Sequence, residues 1–190
     1  MINKITPLTL TAVAKVHKEV YLKNHFSSLM SPQKTEEFYS YQIAHNEHCY
    51  SYTFNNEIVA FIISGKNTNK AVNSFIMNNK LYLLFVTISN PRFLLQKAKQ
   101  FISVLLSNNK EKFEIQPFRL LSVAASSKVQ GKGVVVRFFN EYHSVLKTHG
   151  INSYGLSVKS DNTRAIKLYE KLGFEIEHIE KTSIYYKITL

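Results

Sequence analysis

Cysteine is almost absent from the sequence, with one residue among 190. Cys49 therefore has no internal partner for a disulfide and no second thiol with which to build a redox pair or a thiolate metal site. This scarcity fits a reducing compartment. Because free cysteine is among the most buried residue types, we expect Cys49 to lie in a buried strand and not to act as a nucleophile.

Long hydrophobic runs are also missing. No segment reaches the roughly 20 apolar residues that a membrane-spanning helix needs, and the N-terminus lacks the pattern of a secretory signal. The content of 45% hydrophobic and 13% aromatic residues excludes disordered and fibrous classes. We therefore expect a cytoplasmic protein with one α/β or α+β domain.

Acidic residues are scarce as well, with 13 Asp and Glu against 24 Lys and Arg and a formal charge of +11. This balance predicts an anionic partner, and nucleic acid, an acidic membrane or a phosphate-rich small molecule would satisfy it. The basic residues form no run of five or six, and no recognition-helix or aromatic-basic strand signature is present. We therefore expect neither a nucleic-acid nor a membrane partner.

The first half of the chain alternates helix and strand patterns. Pro7 signals the start of one helix, and Ser31 with Pro32 signals the start of a second. Asn55 and Asn56 separate two β-rich runs, which predicts a hairpin. The predicted elements are a strand at 2–6, helices at 10–23 and 32–46, and hairpin strands at 48–54 and 58–64.

The stretch 66–116 is longer than a simple connection requires, because loops of more than about a dozen residues are usually functional or disordered. Segment 66–80 resists assignment, and the apolar run 81–88 fits either a helix or a strand. The pattern at 92–106 predicts an amphipathic helix. We interpret the whole stretch as an ordered helical insertion.

The second half of the chain has the rhythm of a strand–helix–strand crossover unit, which predicts two neighbouring parallel strands. The predicted elements are strands at 118–125 and 151–158, helices at 131–149 and 161–172, and final strands at 174–180 and 184–189.

Two glycines, Gly131 and Gly133, stand between the strand at 118–125 and the following helix. Glycines at this point let an anion approach the backbone N–H groups, and the helix dipole adds to the attraction. Lys128 and Lys132 could add charge to the rim. A tight structural turn explains the glycines equally well. The pattern is not a P-loop, which needs Gly-Lys-Ser/Thr, and it lacks the third glycine of a dinucleotide fingerprint.

A second cluster opens the helix at 161–172. Asn162, Ala165 and Tyr169 lie three and four residues apart, so they share one helix face against which a ligand could lie. The alternative is that Tyr169 simply packs in the core with its hydroxyl at the edge.

In this order and spacing, the two clusters resemble the GNAT superfamily of N-acetyltransferases. The family's loop Gln/Arg-x-x-Gly-x-Gly/Ala falls on residues 130–135, where Val135 replaces the small last residue. The pattern Asn-x-x-Ala-x-x-x-Tyr-Glu-Lys-x-Gly-Phe matches fully at 162–174. The resemblance is strong from 118 to 190 and weaker before that.

The resemblance implies a single α/β (α+β) domain over 1–190, with an insertion at about 66–116 and an acetyl-CoA-binding core at 118–175. Its sheet would be mixed and mostly antiparallel, with a splayed parallel strand pair and flanking helices. The implied co-substrate is acetyl-CoA, with no metal. The implied cofactor-binding residues are Val123, Ala125, Gln130, Gly131, Lys132, Gly133, Val134, Val135, Asn162 and Ala165.

The mechanism implied by the resemblance is direct attack of a neutral amine on the thioester. Tyr169 would protonate the departing thiolate, and a strand amide near Val123 would stabilise the oxyanion. His25 is the leading candidate for the base. His17 lies on an apolar helix face and is more typical of a core histidine, and Glu141 and His143 are expected at the surface.

The expected acceptor is a primary amine of a small molecule, with a nucleotide-linked amino sugar as the leading candidate. The charge of +11 exceeds what one CoA requires, and the stretch 66–116 could build a closed acceptor pocket. The layout with this insertion, including 90–95, also resembles GNAT members associated with polysaccharide synthesis. A protein lysine or N-terminal acetyltransferase and a non-catalytic acyl-CoA sensor are the alternatives. The predicted helix at 92–106 would either cover the acceptor side or form a homodimer contact, and the sequence does not choose between them.

Overall fold

The computed structural model of the protein describes residues 1–21, 25–91 and 115–190. Seven strands form one sheet in the order β1-β2-β3-β4-β5-β7-β6. The strands are β1 (Ile2–Lys4), β2 (His48–Phe54), β3 (Glu57–Gly65), β4 (Arg119–Ala125), β5 (Ser153–Lys159), β6 (Glu175–Ile179) and β7 (Ser183–Thr189). The helices are α1 (Leu10–Val20), α2 (Pro32–His45), α3 (Thr68–Asn78), α4 (Lys80–Ile88), α5 (Val134–Thr148) and α6 (Thr163–Lys171).

Local signals explain most of these elements. The Ser31 side chain caps α2 by accepting a hydrogen bond from the Lys34 amide at 3.2 Å. Asn55 and Asn56 have φ values of 50° and 62°, as the two central residues of a type I′ hairpin turn require. The predicted hairpin is therefore confirmed.

The ambiguous segments before residue 92 are helical. Segment 66–80 contains α3, and the apolar run 81–88 belongs to α4. The amphipathic helix predicted at 92–106 lies outside the described residues. No helix in the described ranges is long and apolar enough to cross a membrane.

The sheet buries a hydrophobic core on each face. Helix α5 packs on one face, where Phe138, Phe139 and Tyr142 are fully buried. Helices α1 and α2 pack on the other face, together with Cys49. Burial raises the pKa of the Cys49 thiol to about 12, so the thiol stays protonated and unreactive, as expected.

Every neighbouring strand pair is antiparallel except β4 and β5, which are parallel and share only two residue pairs, Arg119 with Gly155 and Leu120 with Leu156. The reason lies on the other edge of β4. Ser64 of β3 pairs with Leu120 and the preceding Ile63 pairs with Ser122, so Leu121 is an extra residue. Such a β-bulge bends a strand and increases its twist. The bulge follows the last β4–β5 pair directly, and the two strands diverge beyond it.

Arg119 lies at the end of the strand pair where β4 and β5 are still paired, and it links the strands there. Its guanidinium donates hydrogen bonds to the Leu156 carbonyl at 2.6 Å and to the Glu177 carboxylate at 2.9 Å. A Cβ on Gly155 would lie 2.5 Å from Arg119 Nη1, so the glycine makes room for the guanidinium. The ion pair joins β4 to β6, and the bond to the Leu156 carbonyl joins β4 to β5.

We predict that Arg119→Met lowers the free energy of unfolding by about 3 kcal/mol, because it leaves the Glu177 carboxylate buried without its partner. The side chains of this pair are only 15% and 9% exposed. Urea denaturation measures the effect. Lys128→Met is the control, because its pair with Glu57 is 60% and 62% exposed and should contribute nothing measurable. Equal effects of the two substitutions would contradict the role of Arg119.

Candidate active site

The open end of the divergence exposes one edge of β4. From Ser122 to Ala125 the strand pairs with β3 on one side, and no described strand pairs with it on the β5 side. Val123 and Ala125 lie in this stretch. An extended ligand could therefore hydrogen-bond to their backbone as an added strand does.

Gly131 and Gly133 have φ values of 75° and 68°, and a Cβ at either position would meet no atom within 4 Å. Among the described residues, no backbone carbonyl accepts a hydrogen bond from the amides of Gly131, Gly133, Val134 or Val135. These amides surround the start of α5, where the helix dipole is positive. The helix begins at Val134, so the glycines precede it, whereas the predicted helix began at 131.

The loop that carries these glycines is anchored by α1. The Glu19 carboxylate accepts hydrogen bonds from the Ser126 hydroxyl at 2.7 Å, the Ser127 hydroxyl at 2.9 Å and the Ser127 amide at 3.1 Å. The Ser126 hydroxyl is the main cause of a lowered Glu19 pKa. The carboxylate is therefore charged at neutral pH, and its acceptor bonds hold the loop to the helix.

The remaining residues predicted to bind the cofactor at this loop differ in their exposure to solvent. Gln130 and Lys132 are exposed, and Lys132 forms no ion pair within the described ranges. Val134 is fully buried and Val135 is half-buried against the same core. The larger side chain at Val135 is thus accommodated by packing.

Helix α6 starts from the loop after β5. The Asn162 side chain caps it by accepting a hydrogen bond from the Ala165 amide at 3.2 Å. This bond uses the carbonyl oxygen of Asn162 and leaves its NH₂ group available for a ligand. Because the carboxyl ends of two parallel strands lie at the same edge of a sheet, the Asn162 cap and the glycine loop belong to one edge.

Tyr169 of α6 is 5% exposed, and its ring packs against Phe139 and Phe174. Its hydroxyl makes no hydrogen bond within the described part of the chain. Burial, with a smaller effect of the nearby Tyr21 phenol, raises the pKa of Tyr169 well above its usual value. Tyr169 therefore stays protonated at any physiological pH and can act as a proton donor but not as a base.

His25 precedes a short 3₁₀ turn on the other side of the opening. Its Nδ1 lies 2.7 Å from the Ser27 hydroxyl, and its ring centroid lies 4.8 Å from that of Tyr21. Surrounding protein atoms and the charge of Lys159 lower the pKa of His25, although the residue is exposed. The imidazole is thus neutral at pH 7, as a base must be.

The other candidate bases have structural contacts. His17 is buried and its Nδ1 lies 2.7 Å from the Tyr39 hydroxyl. Glu141 accepts hydrogen bonds from the Ile2 amide and the Tyr52 hydroxyl, and His143 Nε2 lies 2.9 Å from the Tyr154 hydroxyl. Glu141 and His143 are therefore half-buried, and the expectation of surface positions is wrong, because both face β-strand tyrosines.

Tyr21 and Ser122 are functional candidates that sequence reasoning missed. The Tyr21 hydroxyl lies 2.8 Å from the Ser122 hydroxyl and 3.4 Å from the Val123 carbonyl. Tyr21 follows His17 by four residues, and the two rings stack with centroids 4.3 Å apart. That spacing was the only available signal.

A cavity of about 400 Å³ lies next to the 3₁₀ turn that follows His25. Its wall is mainly apolar and comes from the 3₁₀ turn, α2, α3 and α4, with Phe38, Phe75 and Leu83 among its residues. Ser27 lines it near His25, and Lys80 is its charged residue among those described. The size lies within the range of small-molecule sites. The described ranges contain no cluster of three or more His, Cys, Asp or Glu residues able to hold a metal ion.

Comparison with known proteins agrees with this architecture. The acetyltransferase (GNAT) family matches residues 93–174. No curated protein sequence matches the chain. The fold is similar to that of the PaiA N-acetyltransferase of Thermoplasma acidophilum, solved in complex with coenzyme A, at 13% identity and a TM-score of 0.61. That alignment covers 100% of this chain and 98% of the other.

A second similar structure is the ribosomal-protein-S18-alanine N-acetyltransferase of Escherichia coli, at 15% identity and a TM-score of 0.57, covering 100% of this chain and 92% of the other. At these identities the likeness shows the fold alone, and the family match is confined to residues 93–174. The matched segment contains the bulged strand, the glycine loop and the helix of Tyr169. Residues 93–174 thus match the acetyltransferase (GNAT) family, whose enzymes use acetyl-CoA, and the fold is similar to that of N-acetyltransferases of known structure.

Proposed function

We propose that this protein transfers an acetyl group from acetyl-CoA directly to the primary amine of a small molecule. The observation that carries the proposal is the single edge of the sheet at which β4 and β5 diverge, with the glycine loop after β4 and Asn162 after β5. The whole chain would act as one domain, with 66–116 as an insertion.

The residues present fit acetyl-CoA. The unpaired amides around Gly131 and Gly133 suit a pyrophosphate, and the open edge at Val123 and Ala125 suits the amide groups of a pantetheine arm. The NH₂ group of Asn162 would donate to the same arm. Acetyl-CoA supplies the acetyl group as an activated thioester.

In this reaction, Tyr169 would act as the proton donor and His25 as the proton acceptor. The amine nitrogen would add to the acetyl carbon and form the C–N bond, which moves the carbonyl π electrons onto oxygen as an oxyanion. When the carbonyl re-forms, the C–S bond breaks and its electron pair leaves on sulfur. Tyr169 gives its proton to the thiolate, and the nitrogen loses a proton to His25, from which solvent carries it back to Tyr169. The products are an amide and a thiol, and no acyl-enzyme forms. A β4 amide near Val123 would stabilise the oxyanion.

The acceptor class rests on two features. The cavity beside Ser27 suits a small molecule, whereas a protein lysine or N-terminus would need an open groove. The charge of +11 supports an anionic acceptor, and we keep a nucleotide-linked amino sugar as the first candidate. Its phosphates would lie outside the apolar wall of the cavity, where the cavity's lysine, Lys80, could meet them.

We predict that Tyr169→Phe lowers kcat by about two to four powers of ten, the range of general acid catalysis, with little change in acetyl-CoA affinity. The ring that packs against Phe139 is retained, and only the proton donor is lost. Thiol release and calorimetry measure the two quantities. Tyr186→Phe is a matched control, because that buried phenol contacts Glu170. Wild-type turnover in Tyr169→Phe would show that another group protonates the thiolate.

The acceptor is tested by competition. UDP should inhibit competitively against the amine and not only against acetyl-CoA, and higher salt should raise the KM of a nucleotide-linked amino sugar more than that of a neutral amine. Efficient acetylation of a lysine peptide, with every nucleotide-linked amino sugar inert, would overturn this acceptor. The absence of acetyl transfer to any amine in a pooled set, with acetyl-CoA still bound, would favour the acyl-CoA sensor.

A further inference from the structure

The last turn of α1 is tied to the short 3₁₀ turn Phe26–Leu29 that follows His25. The half-buried ammonium group of Lys18 donates hydrogen bonds to two backbone carbonyls of this region, that of Ser28 and, at 2.7 Å, that of Met30. Both bonds have a charged donor, which makes each of them roughly twice as strong as a bond between neutral groups. Lys18 therefore fixes the C-terminal end of the 3₁₀ turn to α1.

The Ser28 carbonyl relies on Lys18 for its hydrogen bond. A 3₁₀ turn continues when the amide three residues further on donates to such a carbonyl, and here that amide belongs to Ser31. The Ser31 amide instead donates to the hydroxyl of Tyr82 in α4 at 2.8 Å. Loss of the Lys18 ammonium would therefore leave a partly buried carbonyl without a donor among the described residues, and the turn would shift to expose that carbonyl to water.

The position of His25 depends on the same turn. The amide and the hydroxyl of Ser28 donate hydrogen bonds to the His25 carbonyl at 2.9 Å and 2.7 Å, so Ser28 links Lys18 to His25. The imidazole itself has two contacts, since its Nδ1 lies 2.7 Å from the Ser27 hydroxyl and its ring packs on that of Tyr21. A shift of the Ser28 backbone would therefore move the His25 ring relative to Tyr21.

Helix α1 also holds the cofactor side of the opening. The carboxylate of Glu19, the residue after Lys18, accepts hydrogen bonds from two serines of the glycine loop. Consecutive side chains of an α-helix point about 100° apart, so these two residues can hold segments on different sides of α1. The hydroxyl of Tyr21, on whose ring His25 packs, lies 3.4 Å from the Val123 carbonyl in the open edge of β4. The last turn of α1 thus holds the His25 turn, the glycine loop and the open edge together.

We propose that Lys18 is a positioning residue for acetyl transfer: by binding the Ser28 carbonyl, it fixes the distance between the His25 imidazole and an acetyl thioester on the open edge of β4. The inference rests on the proposed function and adds to it the residue that places the proposed base. Lys18 acts through His25 and not on the reacting atoms. Its removal should therefore slow proton loss from the amine and leave the affinity for acetyl-CoA unchanged.

The effect of Lys18 on His25 is tested without any substrate. In protein with ¹⁵N-labelled histidine, Lys18→Met should shift the ring ¹H–¹⁵N correlations of His25, because the contacts of the imidazole with Ser27 and Tyr21 change. Lys15→Met is the matched control, since Lys15 lies on the same helix, is exposed and forms no ion pair within the described ranges. Unchanged His25 signals in Lys18→Met, or equal shifts in both variants, would overturn the proposal.

The consequence for catalysis is measured with phenethylamine as the acceptor probe, since its apolar body suits the cavity, or, where it is inert, with the amine of the pooled set that is acetylated fastest. Lys18→Met should lower kcat/KM for the amine by about ten- to a hundredfold, the effect of misplacing a catalytic group by about 1 Å. The Kd of acetyl-CoA should stay within about twofold, and Lys15→Met should keep wild-type values of both quantities. Wild-type amine kinetics in Lys18→Met, or an equal loss of acetyl-CoA affinity, would overturn the role.

A double-mutant cycle separates positioning from an independent effect of Lys18. If Lys18 acts through His25, Lys18→Met should cost nothing further in a His25→Gln background, because residues that act as one unit are not additive. Losses that multiply would overturn the role, as would wild-type turnover in His25→Gln, while acetyl transfer itself would stand. Absence of acetyl transfer to any amine in the wild type would instead contradict the proposed function, and the NMR result does not depend on it.

Discussion

The structure depends on where β4 stops pairing with β5. Arg119 closes one end of the strand pair through hydrogen bonds to the Leu156 carbonyl and to Glu177, and the extra residue Leu121 bends β4 away immediately afterwards. The consequence is a length of strand edge with unpaired backbone groups in the middle of a sheet. Such an edge is costly in a monomer unless something pairs with it. A ligand with its own amide groups satisfies this requirement.

The elements around the opening supply different chemistry because their environments differ. The glycine loop offers backbone amides and is held by the charged Glu19. Helix α6 contributes Tyr169, a buried phenol that keeps its proton. The α1 side contributes Tyr21 and the neutral His25, whose pKa is lowered. In the proposed mechanism, the proton donor and the proton acceptor therefore come from different elements with different environments, as acid–base catalysis requires.

Sequence reasoning succeeded where the signal was local. A few neighbouring residues were enough to predict the hairpin at Asn55, the helix start at Pro32 and the position of the glycine loop. The fold was predicted from the resemblance to the family's motifs. It failed where the cause is distant in sequence. The bulge at Leu121 depends on the register of β4 with β3. Tyr21 becomes a candidate only through its contact with Ser122, which lies 101 residues away in sequence. His143 was misplaced at the surface for another reason, since its partner Tyr154 is near in sequence but lies on a different element, β5.

The central claim is that the open edge and the glycine loop bind acetyl-CoA, and thermal unfolding with and without acetyl-CoA tests it. At a hundredfold excess over Kd, the ligand should raise Tm by about 5–10 °C in the wild type. Gly133→Glu should abolish the rise, while Gly150→Glu, at a glycine of equally positive φ and open surroundings, should retain it. An unchanged rise in Gly133→Glu, or loss in both variants, would contradict the assignment.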